Sequence, residues 1–161
     1  MWSPKALLLV LALAACGFSP AFGPNGPATA LRGTIALQDT TTRNGFEFIQ
    51  QFEERLGRAT APRYDLAATI ATSSTSLGIA PDGAVTRYNL LGSVTWALTD
   101  RATGAQLAKG VEQNFVGWSA TGVTISAVNA ETDANVRLMR ILADQLVARL
   151  VALSPTLAAS P

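Results

Sequence analysis

An α+β domain, with two helices packed on a roughly four-stranded sheet in the order strand, helix, three strands, helix, is the fold this sequence predicts. Three observations carry that expectation. Residues 88–98 set Tyr88, Leu90, Gly92, Val94, Trp96 and Leu98 against Asn89, Ser93 and Thr95 with the two-residue period of a half-buried strand. Residues 130–153 place Met139, Leu142, Leu146, Leu150 and Leu153 at three- and four-residue spacing, the period of an amphipathic helix. At 161 residues, 48% hydrophobic and 14% charged, the chain has the size and composition of one small folded domain. Helices flanking a run of strands must bury their apolar stripes on a sheet face, and the result is a two-layer sandwich.

The N-terminus carries one positive charge, Lys5, then an unbroken apolar run over 6–15, then Cys16. Ten helical residues at about 1.5 Å each reach half way across a hydrocarbon core about 30 Å thick, so this run is a secretory signal and not a spanning helix. Its end, Leu13-Ala14-Ala15-Cys16, resembles the bacterial lipobox, which implies acylation of Cys16 and cleavage between Ala15 and Cys16. Cys16 is the only cysteine of the chain. Several acyl chains hold a protein on a membrane far more firmly than one, because each buried methylene contributes about 0.8 kcal/mol. Gly17, in a place where Asp favours retention at the inner membrane, directs the anchored protein to the outer membrane.

Residues 16–30 read as a lipidated flexible tether, since Pro20, Pro24 and Pro27 interleave with Gly17, Gly23 and Gly26. The domain proper is expected over 31–153, opening with a short strand over 31–37. Asn44 offers an N-cap with Glu47 three residues on. Phe48, Ile49, Phe52 and Leu56 then share a helix face, and Gly57 supplies a stop. Tyr64, Leu66, Ala68 and Ile70 alternate as a strand, Pro81-Asp82-Gly83 marks a turn, and the long strand described above follows. Asp100 to Gly104 form a hairpin loop. Beyond it, Leu107, Val111 and Phe115 are expected on one face and Ala108, Gly110, Glu112 and Asn114 on the other, completing an antiparallel meander. The stretch 121–129 reads as irregular, the last helix as ending near Pro155, and 154–161 as a loose tail.

Composition removes most chemistries. With no His, neither a Ser-His-Asp nor a Cys-His site can be built, and a single Cys excludes Cys-rich metal sites, so no cofactor or metal is expected. A net charge of +1 without a basic run argues against nucleic acid as a partner. The adjacent carboxylates Glu53 and Glu54 project about 100° apart on a helix and read as a solvated face. Trp96 reads as core, and Trp118, near its strand end, as more open. Arg87, Arg101 and Lys109 lie on or beside one hairpin and offer forks and an ammonium to an anionic head group, although isolated surface cations are equally ordinary.

Cys16-Gly17-Phe18-Ser19-Pro20, then Thr42-Arg43-Asn44-Gly45-Phe46, then Tyr88-Asn89-Leu90 to Asp100 with Thr103-Gly104, then the helix from Asn129-Ala130-Glu131, together resemble the LptE family of lipopolysaccharide-assembly lipoproteins. The likeness extends from Cys16 to about Leu153. It implies two helices on a four-stranded sheet, insertion into the lumen of an LptD-type outer-membrane β-barrel, assistance to that barrel's folding, and contact with lipopolysaccharide. It implies no catalytic residue, and an acylated Cys16. Other envelope lipoproteins share the signal and a small α+β domain, among them auxiliary subunits of lipid-shuttling ABC transporters and of the barrel-assembly machine.

Overall fold

The computed structural model describes residues 20–24, 26–79, 85–120 and 124–158. The signal segment 1–15, Cys16, the Pro81-Asp82-Gly83 turn and the last residues of the tail lie outside them. Among the described residues, three helices and four strands follow the order α1 (Pro27–Leu31), β1 (Ile35–Leu37), α2 (Arg43–Leu56), β2 (Tyr64–Ile79), β3 (Val85–Asp100), β4 (Gln106–Ser119), α3 (Thr124–Ala158). The sheet order is β1-β2-β3-β4. β1 runs parallel to β2 because α2 carries the chain back, while β2, β3 and β4 form the antiparallel meander that their alternation predicts.

The start of the domain departs from expectation. Residues 27–31, assigned to tether and strand, form a short helix with Pro27 at its first position, where a missing N–H costs nothing. Ala28 and Leu31 are buried, and the Ala28 N–H donates to the Ala21 carbonyl at 3.0 Å. Ala28, read as tether, and Leu31, read as strand, are thus docked together as a helical turn. The strand is confined to Ile35–Leu37, after a turn through Gly33 at φ 70°.

α2 is capped by Thr42 and not by Asn44: the Thr42 hydroxyl accepts from the Gly45 N–H at 3.1 Å. Gly45 has a reason to be there, since a Cβ on it would overlap the Thr40 side chain. Asn44 is freed from capping, and its amide donates to Asn135 Oδ1 on α3 at 3.1 Å. Gly57, at φ 76°, ends the helix as expected. Phe48, Phe52 and Leu56 face the core.

α3 is longer at both ends than its periodicity suggests. It begins at Thr124, inside the stretch read as irregular, and runs through Pro155 to Ala158, so residues 154–158 are helix and not loose tail. Pro155 has no N–H for the Val151 carbonyl, four residues back. The Ser154 hydroxyl donates to that carbonyl instead, at 2.9 Å, and Leu157 is buried beyond it. Ala134, Leu138, Met139, Leu142, Ala143, Leu146, Val147 and Leu150 form the buried stripe, facing Leu66, Leu90, Val94, Trp96 and Leu98 of the sheet. Gly92 lets the helix come this close, because a Cβ there would meet Leu138 Cδ2 at 2.8 Å and Leu142 Cδ1 at 3.0 Å.

α2 and α3 run in the same direction, joined by Asn44 at the start of α2 to Asn135 about a third of the way along α3, and further along by Asp144. The Asp144 carboxylate accepts from Arg55 Nε at 2.8 Å, Arg55 Nη2 at 3.0 Å and Gln51 Nε2 at 3.1 Å. The hydrogen bonds from Arg55, together with that from Gln51 and the charge of the guanidinium, hold the Asp144 carboxyl below the ordinary carboxylate range.

Two outcomes test this packing. Leu146→Ala should cost about 2–5 kcal/mol, read as a lowered urea midpoint, because a fully buried leucine leaves a cavity that a packed helix cannot close. Asp144→Asn should lower stability by up to roughly 1 kcal/mol at neutral pH, the pair being half exposed. A carboxyl with a depressed folded pKa stabilises the fold fully above its unfolded pKa of about 4, so the difference between wild type and variant should shrink as pH falls below that value and vanish only once pH has passed the lower folded pKa.

Candidate interaction surface

All the described helices lie on one side of the sheet, which among the described residues leaves the other side bare. On that outer face the register lines up Ala67, Ala97 and Lys109, then Thr69, Thr95 and Val111, then Ala71, Ser93 and Gln113, then Ser73, Leu91 and Phe115. Asn89 and Gly117, then Arg87 and Ser119, follow toward the far end. Small and uncharged side chains dominate it. Across its middle runs an apolar patch in which Leu91, Val111 and Phe115 are 43%, 51% and 61% exposed. Two shallow hollows flank the patch, one of about 420 Å³ between Ala71, Ser73, Leu91 and Phe115, the other of about 510 Å³ between Thr69, Thr95, Val111 and Lys109.

The patch fixes which face of β4 is turned outward. Val111 and Phe115 share one face and Ala108, Gly110, Glu112 and Asn114 the other, as their alternation predicts; the face of Val111 and Phe115 is the outer one, Val116 and Trp118 join the helix side, and Leu107, beyond a register shift, leaves the pair and packs against the core. Trp96 decides this register. Its ring lies over Gly110, where a Cβ would meet Trp96 Cζ2 at 2.8 Å, and its indole N–H donates to Glu112 at 3.4 Å. The carboxylate of Glu112 also accepts from Arg149 of α3 at 3.4 Å. Val111 and Phe115 are four residues apart, so their pairing gave no information about phase. The informative signal was a glycine and two small or polar neighbours placed opposite a large core tryptophan. Trp96 is buried as expected, and Trp118 is partly covered, stacked on Tyr88 with ring centroids 4.6 Å apart.

The three cations singled out from the sequence do not converge. Arg87 stands exposed at the far end of β3, and Lys109 sits opposite Ala97, so the strand rises roughly 33 Å between the two levels. Arg101 lies in the β3–β4 turn, where its N–H donates to the Arg63 carbonyl at 3.0 Å and its Nε is 3.9 Å from Asp65. It groups with Arg63, whose guanidinium lies 5.2 Å from the Tyr64 ring centroid. The same turn is tied by Asp100, which accepts from the backbone of Ala102 and Thr103 and from the Thr103 hydroxyl. The Thr103 N–H is the main reason its carboxyl stays below the usual range. Cys16 lies outside the described residues.

Residues 33–150 match the family described as LptE, lipopolysaccharide-assembly. The chain belongs to the LptE family. Solved structures share the fold: a chain from Caulobacter crescentus CB15 at 20% identity and TM-score 0.66, covering 80% of this chain and 96% of its own. The rare lipoprotein B from Shewanella oneidensis, at 12% identity and TM-score 0.59, covers 78% and 97%. Lipoprotein B from Nitrosomonas europaea, at 14% identity and TM-score 0.58, covers 76% and 84%. No curated protein matches the sequence. Family membership connects this LptE-family chain with lipopolysaccharide assembly.

The outward setting of Phe115 has a direct check. Phe115→Ser should change stability by no more than about 0.5 kcal/mol, as surface substitutions do, whereas Trp96→Ala on the neighbouring strand should cost about 3–5 kcal/mol in the same urea titration.

Proposed function

We propose that this chain is an outer-membrane lipoprotein that helps an LptD-type β-barrel to fold, plugs its lumen and takes part in delivering lipopolysaccharide to the outer leaflet. The match to the LptE family over residues 33–150 carries the reading. On it, residues 1–15 are removed and Cys16 is acylated, and the anchor holds the domain on the periplasmic side of the outer membrane. The outer sheet face supports the reading on physical grounds. Barrel lumens are polar and hydrogen-bonding, and a face of Thr, Ser, Asn, Gln and Ala can exchange hydrogen bonds with such walls without desolvating paired charges. The chain acts by binding and not by catalysis.

Arg87, Arg101 and Lys109 are proposed contacts for the phosphates of lipopolysaccharide. Because they stand at different levels of the sheet, they would act separately: Arg101 at the turn beside Arg63, Lys109 on the rim of the larger hollow, and Arg87 at the opposite end.

Mild-detergent extraction of the native envelope and pull-down of the full chain tests the reading. The eluate should contain a large outer-membrane β-barrel in stoichiometric amount, and intact-mass analysis should show loss of residues 1–15 with acyl mass on Cys16. Arg87→Glu and Arg101→Glu should weaken co-elution of lipopolysaccharide while leaving barrel recovery unchanged. Recovery of an ABC-transporter complex in place of a barrel, or an unmodified thiol at Cys16, overturns it.

A further inference from the structure

The segment ahead of α1, expected as part of a flexible tether over 16–30, is already folded at Pro20. The Gly23 N–H donates to the Pro20 carbonyl at 3.0 Å, the Gly26 N–H to the Gly23 carbonyl at 2.9 Å and the Ala28 N–H to the Ala21 carbonyl at 3.0 Å. The Thr29 hydroxyl adds a bond to the Gly23 carbonyl at 2.8 Å. Gly26 is required for this winding, because a Cβ on it would overlap the Ala21 carbonyl. Ala28 and Leu31 then bury α1 against α2 and α3. Only residues 17–19 stand between Cys16 and Pro20.

Four residue steps extend at most about 14 Å. Acyl chains on Cys16 hold that residue at a head-group layer roughly 5–8 Å thick, so Pro20 stays within about 14 Å of it, where a tether free over 16–30 would reach roughly 50 Å. Phe22 lies inside the turn closed by Pro20 and Gly23 and is 57% exposed. Arg32, directly after α1, is exposed and has no ion pair among the described residues. The backbone beyond it leads to a second exposed arginine: the Gly33 carbonyl accepts from the Thr60 N–H at 3.0 Å and the Thr34 carbonyl from the Arg63 N–H at 2.7 Å. Three carboxylates share this end. Glu53 is taken by Arg58, Asp65 stands 3.9 Å from Arg101, and Asp100, in the field of Arg63, is bonded within its own turn.

We propose that this end of the domain makes a second contact with the bilayer that holds the acyl anchor, Phe22 entering the head-group layer and Arg32 and Arg63 taking phosphates of anionic phospholipids. The inference rests on the acylation of Cys16. An aromatic ring beside guanidinium groups suits an interface, since the ring partitions to the apolar boundary and each fork can grip a phosphate. One ring and two arginines are too few to recruit a protein from solution. A short linker changes that, because it turns the second contact into an intramolecular one at an effective concentration in the mM range. A weak contact then suffices to orient the domain. β2 starts at this end, and Leu77 lies roughly 40 Å further along it, so docking sets Tyr64 near the leaflet and Leu77 clear of it.

The test uses the full acylated chain, extracted from a Gram-negative envelope and placed in vesicles of phosphatidylethanolamine and phosphatidylglycerol with brominated acyl chains, which quench nearby tryptophan. The emission added by Phe22→Trp should be quenched, while that added by Leu77→Trp, an equally exposed position at the far end of β2, should not. Adding Arg32→Gln should lower the ratio of docked to undocked domain about five-fold, read as recovered emission from Phe22→Trp, whereas Arg32→Lys should largely preserve it. Intact mass on the same sample separates the two levels of the inference: an unmodified thiol at Cys16 overturns the anchoring and this contact together. With acyl mass present on Cys16, unquenched emission from Phe22→Trp, equal quenching of Leu77→Trp, or quenching indifferent to Arg32→Gln overturns the contact alone.

Discussion

The close approach of α3 to the middle of the sheet is the contact on which the rest of the domain depends. It works because β3 and β4 carry glycine where the helix and the core tryptophan need space: Gly92 beneath Leu138 and Leu142, and Gly110 beneath the ring of Trp96. Packed interiors tolerate neither voids nor overlap, so these two positions set how near the layers come and which residues of β4 face inward. Once Trp96 lies over Gly110, Val111 and Phe115 have only the other face left to them. The apolar patch on the bare side of the sheet is a consequence of how the covered side is filled.

The second layer is completed by α2, which is attached to α3 by polar groups at its margin and by apolar ones beneath. Phe48, Phe52 and Leu56 supply the burial. The fork of Arg55 on Asp144, with Gln51 beside it, and the amide pair of Asn44 and Asn135 add direction, since hydrogen bonds are satisfied only at one sliding and rotational setting of the two helices. With both helices committed to one face, the sheet has a covered side that carries stability and, among the described residues, a side that is left open. On the open side most side chains are small and hydrogen-bonding, around the apolar patch of Leu91, Val111 and Phe115.

Much of this was readable from residue spacing. The period of two over 64–70 and 88–98 and the period of about 3.6 in both long helices are strong because each run is long and one face is wholly apolar. Weaker signals failed where two periods coincide. Leu31 reads as a strand residue when counted with Gly33 and Ile35, and as a buried helical residue when counted with Ala28; burial against the core selects the second. Thr42 and Asn44 are equally good caps in isolation, and the choice was made by Asn135, ninety-one residues away, which takes the Asn44 amide. Pro155 is a stop by its own chemistry, but the Ser154 hydroxyl and the burial of Leu157 offset the missing bond.

The sequence by itself determined the fold class, the order of the long elements, the meander, the absence of histidine chemistry and the signal-like segment ending at Cys16, because these rest on local period and composition. Tertiary structure alone decided the phase of β4, the extent of α3 and the scattering of Arg87, Arg101 and Lys109 over different levels of the sheet. It also decided that β1 stops at Leu37, so that among the described residues most of β2 is paired only with β3. Each of these depends on which distant residue fills a given space or takes a given hydrogen bond. A one-dimensional pattern carries the spacing of side chains along a strand but not the identity of what lies across from them.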